Sequence, residues 1–234
     1  MKMIPSQYQE LEAVCNEIDN LKARCICFIS LTGSEGSTSL CTSVATRLCN
    51  QSKKVLIIDL NPISPFKLDQ NQSTDVGPWC FSDISCQLNI ISTDHVDILT
   101  MQHLNELESV KNKSILNDAI ERIKQEYDYV FIDMSPALKC NRGNVPLHAL
   151  SLCTDMTFLT VSLGLNDEEA LCHGITNLEQ AGLTEIKIVV AQHNFAPLGT
   201  RLIESLKTRQ HKWPKLSNYL INKIIKQRWL FTAY

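Results

Sequence analysis

Three places in this chain hold residues whose types and spacing suit phosphate chemistry. The first is the run Gly33, Ser34, Glu35, Gly36, Ser37, Thr38 and Ser39, which follows an apolar stretch and opens a helical pattern. A strand, a glycine turn and a helix start aim backbone N–H groups and the positive end of a helix dipole at one spot, where a phosphate binds. The second and third are Asp59 and Asp133, each placed directly after a short apolar run. A carboxylate there reaches the carboxyl edge of a parallel sheet, where open α/β folds take ligands. A complete phosphate loop reads Gly-Lys-[Ser/Thr], with the lysine on the β- and γ-phosphates and the hydroxyl on Mg²⁺. Here Gly36 and Thr38 fit, and Ser37 stands in the lysine's place. Gly33 and Gly36 also suit a plain strand-to-helix turn, with Asp59 and Asp133 capping neighbouring loops. The residues alone leave both readings open.

The elements that must position these groups are legible in the apolar pattern. Helices are expected at Ile4–Leu21, Thr38–Asn50, Leu104–Glu126, Leu147–Cys153 and Glu168–Ala181. Strands are expected at Ile26–Leu31, Val55–Ile58, Leu88–Ile91, Tyr129–Ile132, Met156–Val161 and Ile186–Ala191. Short, wholly apolar strands imply burial on both faces. Their alternation with helices predicts an α/β fold with a doubly wound, mostly parallel sheet. Residues 61–87 carry Pro62, Pro65, Gly77 and Pro78 and read as loop, with room for a short helix.

Composition sets outer bounds. The chain has 234 residues, 44% hydrophobic and 20% charged, enough for one domain with a full core plus a tail. No run approaches the roughly 18–20 apolar residues of a membrane span, and the first residues lack the apolar core of a signal peptide. The expected location is the cytoplasm, at the face of the inner membrane if the tail attaches there. Ten cysteines then read as reduced thiols. Cys25, Cys27, Cys41, Cys49, Cys153 and Cys172 lie in apolar surroundings and behave as small hydrophobes.

Charge is uneven. Of 22 Lys/Arg and 25 Asp/Glu, eight bases and the single acid Glu204 fall in 199–234, leaving 14 bases against 24 acids elsewhere. The expected division is a domain over 1–198 and a basic amphipathic tail over 199–234. Within it, Leu216, Tyr219, Leu220, Ile224, Ile225 and Trp229 recur at helical spacing among Lys215, Lys223, Lys226 and Arg228. Residues 214–230 suit an anionic membrane surface. They equally suit packing on the domain or on a partner subunit. Nucleic-acid binding is the weakest of the three uses, because no reader motif accompanies the bases.

The order of motifs resembles the MinD/ParA superfamily of P-loop ATPases, and most closely the cytoplasmic domain of bacterial tyrosine kinases of the CpsD/CapB type, which control exopolysaccharide chains. Their loop reads approximately Ser-x-x-Pro-Gly-Glu-Gly-Lys-Ser-Thr, against Ser30-Leu-Thr-Gly-Ser-Glu-Gly-Ser-Thr-Ser39 here. Val55-Leu-Ile-Ile-Asp-Leu-Asn61 and Tyr127-Asp-Tyr-Val-Phe-Ile-Asp-Met-Ser-Pro136 match their second and third motifs. The similarity spans about residues 5–195. It implies a P-loop NTPase-like fold that binds ATP or ADP with Mg²⁺. Thr38 would hold the metal, with Asp133 acting through water. Asp59 would orient the metal or the attacking group, residues 33–39 would cradle phosphates, and Gln192 or Asn194 would meet an adenine. It also implies a protein partner in a cell-envelope polysaccharide system and a homodimer.

The departures bear on activity. Ser37 replaces the loop lysine, Thr32 occupies the position of the additional ParA-type lysine, and Asn61 and Ile63 replace an acid and an arginine of the second motif. The ring-forming Glu-x-x-Arg-x-x-Arg falls on Ser6, Gln9 and Glu12, and only Tyr219 and Tyr234 occur late in the chain. The expected function is therefore that of a degenerate member, a regulator or scaffold in exopolysaccharide biosynthesis or export. The alternative is a slow ATPase that positions cargo on membrane or nucleoid.

Overall fold

The computed structural model describes residues 8–66, 77–83, 85–93, 96–139, 141, 143–191, 197–209 and 213–231. A seven-stranded sheet has the spatial order β3-β4-β2-β5-β1-β6-β7. Its strands are β1 Cys25–Ser30, β2 Val55–Leu60, β3 Ile91–Ser92, β4 Asp97–Leu99, β5 Tyr129–Met134, β6 Met156–Ser162 and β7 Ile186–Ala191. β2 pairs with β4 and β5, and β1 with β5 and β6, all in parallel; the short β3 runs antiparallel to β4. This is the doubly wound, mostly parallel α/β architecture that the pattern predicts.

Side-chain alternation splits the core into two layers. Ile26 and Phe28 of β1, Val55 and Ile57 of β2, and Phe131 of β5 face one layer. Against them pack α1 Glu10–Leu21, through Leu11, Val14 and Ile18, and α2 Ser37–Asn50, through Leu40, Val44 and Leu48. Cys25, Cys27, Ile29, Leu56, Ile58, Val130 and Ile132 face the other layer. There they meet α3 Leu107–Lys111, α4 Lys113–Ile123 and α5 Glu168–Gln180. Asp59 continues the alternation of Val55 and Ile57, and Asp133 that of Phe131. Both carboxylates therefore project on the α2 side.

Several boundaries differ from the pattern. The helix expected over 104–126 breaks at Asn112, whose side-chain oxygen accepts from the N–H groups of Ser114 and Ile115 and restarts the chain as α4. An asparagine side chain competes with the helical ladder for these donors and so favours a cap. The first helix begins at Glu10, and residues 4–7 of its expected range lie outside the described residues. The strand expected over 88–91 is the two-residue β3, and β4 is too short to leave a periodic signal. Leu147–Leu150 forms a 3-10 turn rather than a longer helix. Asp59 and Asp133 lie within their strands, not after them. Cys172, expected among apolar neighbours, is exposed on α5.

Part of the loop-like stretch is anchored deeply. Trp79 is fully buried, donates its indole N–H to Thr100 O at 2.9 Å, and bridges to Leu104. Its ring packs 4.9 Å from that of Phe81.

The chain forms two compact units, Met1–Val161 with Asn166–Ala191, and Ser162–Leu165 with Gln192–Tyr234. Within the second, α6 Leu198–Arg209 packs on α7 Pro214–Ile225 and on a 3-10 turn, Arg228–Phe231. Pro214 opens α7, where its missing N–H costs nothing. Trp213, Leu216, Tyr219, Ile225 and Trp229 are exposed in this unit. No helix among the described residues is long and apolar enough to cross a membrane.

Candidate functional site

β1 delivers the chain to the carboxyl edge of the sheet at Ser30, and α2 leaves from Ser37. The intervening turn depends on two left-handed glycines, Gly33 at φ 106° and Gly36 at φ 87°. A side chain is strained in that region. A Cβ on Gly33 would also lie 2.8 Å from Cγ of Pro136. Gly36 is the residue before the first turn of α2, so the helix opens with no side-chain cap on its N–H groups.

Glu35 fills the inside of this turn. The residue is 1% exposed. Oε2 accepts from the N–H groups of Gly33 and Ser34, each at 2.7 Å. Oε1 accepts from the Thr32 N–H at 2.8 Å, from the Thr32 hydroxyl and from Asn166 Nδ2 at 3.0 Å. Burial alone would raise its pKa; the Thr32, Asn166 and backbone hydrogen bonds outweigh it and hold the group below the usual value, and so ionised. The Ser34 N–H, expected in the phosphate cradle, is thus already engaged by a carboxylate of the loop itself.

Beside the turn lies a cavity of about 360 Å³. Gly33, Ser34, Gly36, Ser37, Thr38 and Ser39 line one wall. Asn61, Ile63, Ser64, Pro65 and Phe66, which follow β2, line the other, with Pro136. A hollow of about 530 Å³ opens elsewhere, lined by Lys53, Lys54, Val55, Asp97 and Tyr127 among others. It lies at the amino end of β2 and contains neither the glycine turn nor the paired carboxylates. Lys53 and Lys54 are therefore at the wrong end of the sheet to replace the loop lysine.

The two carboxylates adjoin the helix start. Asp59 and Asp133 are partners in register across β2 and β5, and both are fully buried. Asp59 accepts from the N–H groups of Asn61 at 3.0 Å and Phe66 at 2.7 Å. Burial pushes it up to about 6 against those two hydrogen bonds. Asp133 Oδ2 accepts from the Thr38 hydroxyl at 2.7 Å. Burial, opposed by that bond and reinforced by the charge of Asp59, pushes it up to about 8. Asp133 Oδ1 is buried with no hydrogen-bond partner among the described residues. Next to the Thr38 hydroxyl it forms a hard oxygen donor pair of the kind that Mg²⁺ takes.

The tertiary structure thus brings together Gly33, Ser34, Glu35, Gly36, Ser37, Thr38, Ser39, Asp59 and Asp133. Asn194 and Gln192, expected at an adenine, lie outside the described residues. Asn166 and Phe66 serve the site and escaped sequence reasoning, and Pro136, quoted only as the end of a motif, lines the cavity. Asn166 reaches Glu35 from 131 residues away and Phe66 acts through a backbone N–H on Asp59, so neither leaves a periodic or spacing signal.

A family model described as AAA domain matches residues 23–188. No curated protein sequence matches. The fold is similar to the kinase domain of the Escherichia coli tyrosine kinase ETK, at a TM-score of 0.64 and 18% identity, covering 82% of this chain and 81% of that one. It is similar to the VpsO kinase domain, at 0.63 and 19% identity, covering 78% and 92%. It is also similar to cobyrinic acid a,c-diamide synthase from Mycobacterium smegmatis, solved with ADP and magnesium, at 0.52 and 18% identity, covering 70% and 71%. At these identities the likeness is one of fold, and that fold is P-loop NTPase-like.

Proposed function

We propose that this chain, which belongs to the AAA domain family, is a degenerate nucleotide-binding regulator or scaffold in cell-envelope polysaccharide production or export. The observation that carries the nucleotide half of this reading is the Thr38–Asp133 hydrogen bond beside a glycine turn and an uncapped helix start. Thr38 and Asp133 would hold Mg²⁺, and the ion, when bound, would offset phosphate charge. The first turn of α2 would supply N–H groups to the phosphates, and Gly33 and Gly36 let the backbone approach them. Asp59, which accepts from Asn61 and Phe66 of the cavity wall, would hold a proton behind that wall.

Ser37 supports a role other than efficient phosphoryl transfer. Removing one preorganised electrostatic contact from a reacting group typically costs about 10²–10³ in rate. The kinase-domain folds of ETK and VpsO support the polysaccharide half over cargo positioning, together with the exopolysaccharide role that the motif resemblance implies. A protein partner of that system, a homodimer, and membrane-surface contact through residues 214–230 belong to the same proposal.

Calorimetry with Mg²⁺-ATP and Mg²⁺-ADP tests the first half; micromolar binding lost in Asp133→Ala is the expected result. Deletion of the gene should change the amount or chain length of surface polysaccharide. An unaltered profile sinks the second half.

A further inference from the structure

Ser37 leaves the turn without its own cation, while Glu35 places an ionised carboxylate inside it. A polyphosphate entering this cavity needs positive charge from elsewhere. The segment after β5 brings it. Ala137 N–H donates to Ser30 O at 2.9 Å and Leu138 N–H to Leu31 O at 3.1 Å, so this segment is laced to the end of β1 and the start of the turn. Lys139 N–H then closes onto Pro136 O at 3.0 Å, and the buried Asn144 donates its side-chain amide to Lys139 O at 2.9 Å. The Lys139 backbone is held from both sides, and its exposed side chain reaches back over the turn. A Cβ built on Gly33 would lie 3.6 Å from Lys139 Nζ. No ion pair of Lys139 is formed among the described residues.

The sequence departs from the kinase-like loop at both relevant positions. Where that loop has proline, this chain has Gly33; where it has lysine, this chain has Ser37. The bare Gly33 is what lets Pro136 approach, and Lys139 follows three residues on, in the same segment. We propose that Lys139 supplies, from the segment after β5, the phosphate-binding cation that the turn lacks at Ser37, and that its ligand is the phosphate chain of a nucleoside di- or triphosphate. This rests on the reading of the turn as a nucleotide site.

The test is calorimetry with Mg²⁺-ATP on the full chain and on Lys139→Gln, Lys139→Arg, Ser37→Lys and the double variant Lys139→Gln/Ser37→Lys, with thermal melting to verify folding. A charged hydrogen bond of ordinary strength predicts a roughly 10- to 100-fold weaker affinity for Lys139→Gln. Lys139→Arg should stay near wild type, and Ser37→Lys should restore binding in the Lys139→Gln background. Wild-type binding that Lys139→Gln leaves within about twofold overturns the assignment while the nucleotide site stands. Binding by Ser37→Lys but not by wild type also overturns it, because Lys139 then fails to stand in. A loss that neither Lys139→Arg nor Ser37→Lys recovers assigns the effect to local structure and overturns it. No binding by any protein, Ser37→Lys included, removes the nucleotide reading itself.

Discussion

Asp59 and Asp133 sit side by side on adjacent parallel strands, in register and fully buried, and among the described residues only Asp133 receives a side-chain hydrogen bond, from Thr38. Two carboxyls in one desolvated place do not both ionise easily. Asp59 has two backbone donors to stabilise its charge, and Asp133 has one hydroxyl and an oxygen with no partner among the described residues. The environment therefore separates them into a group that ionises near 6 and one that ionises near 8.

This asymmetry predicts a pH dependence of stability. Both folded values lie above the ordinary aspartate value of 3.8. The folded state thus binds protons more tightly than the unfolded chain, and stability falls as pH rises from about 4 through 8. The Asp59 share of the loss is complete near pH 6, and the Asp133 share continues to about 8. Asp133→Asn should remove the upper part of this decline and raise the melting temperature at pH 8.5, an effect on the order of a few kcal/mol. Mg²⁺ should stabilise wild type more at pH 8.5 than at pH 5, and should leave Asp133→Asn unmoved. A flat melting profile from pH 5 to 8.5 in wild type would contradict the burial argument.

Glu35→Ala should destabilise the turn and the fold. Three backbone N–H groups, from Thr32, Gly33 and Ser34, lose their acceptor. Gly33 and Ser34 are exposed, so water replaces part of what is lost; a hydrogen bond to a charged group is worth about 1.5–3 kcal/mol, so a loss of roughly 2 kcal/mol is expected, a drop of about 4–8 °C for a chain of this size. Glu35→Gln should lose less, since one amide oxygen still accepts. Because the Glu35 carboxylate is held below its usual 4.5, its contribution is present above that value and disappears as pH falls through the lower folded one. Chemical denaturation at pH 7 and pH 3.5 reads both effects.

Gly33→Ala should perturb the site more than the fold. The left-handed φ costs an alanine about 1–2 kcal/mol, and its methyl would meet Pro136 Cγ at 2.8 Å. The relief available is to push Pro136 and the chain after it outward. Affinity for Mg²⁺-ATP should fall at least tenfold while the melting temperature drops by only a few degrees. Unchanged affinity would show that this segment does not shape the cavity.

Trp79→Ala should be the most damaging change outside the site. A fully buried indole with its N–H on Thr100 O leaves both a cavity and an unmet carbonyl. Truncations of this kind cost about 3–5 kcal/mol. A loss below about 1 kcal/mol in urea denaturation would mean that the 77–83 segment is peripheral.

The wholly apolar strands, the glycine turn, and the acids at the ends of Val55–Ile58 and Tyr129–Ile132 were legible because each is a local pattern. The break at Asn112 was hidden by the unbroken apolar stripe from Leu107 to Ile123, which a capping side chain overrides. Trp79 was hidden by prolines and polar neighbours that read as loop, although its burial arises from contacts with residues 100–105.

The sequence by itself determined the five long strands and the helices α1, α2 and α5, that the strands bury both faces in a parallel sheet, and that Ser37 leaves the loop without its lysine. These follow from propensity, periodicity and residue identity within a few neighbours. Only the tertiary structure decided that Asp59 and Asp133 share one register, that Glu35 turns inward to occupy its own loop, and that Lys139 returns to Gly33. Those relations join residues far apart in the chain, or turn on which way a single side chain folds. Pairing energy between strands and the desolvation of buried charge set them, and neither is written in local spacing.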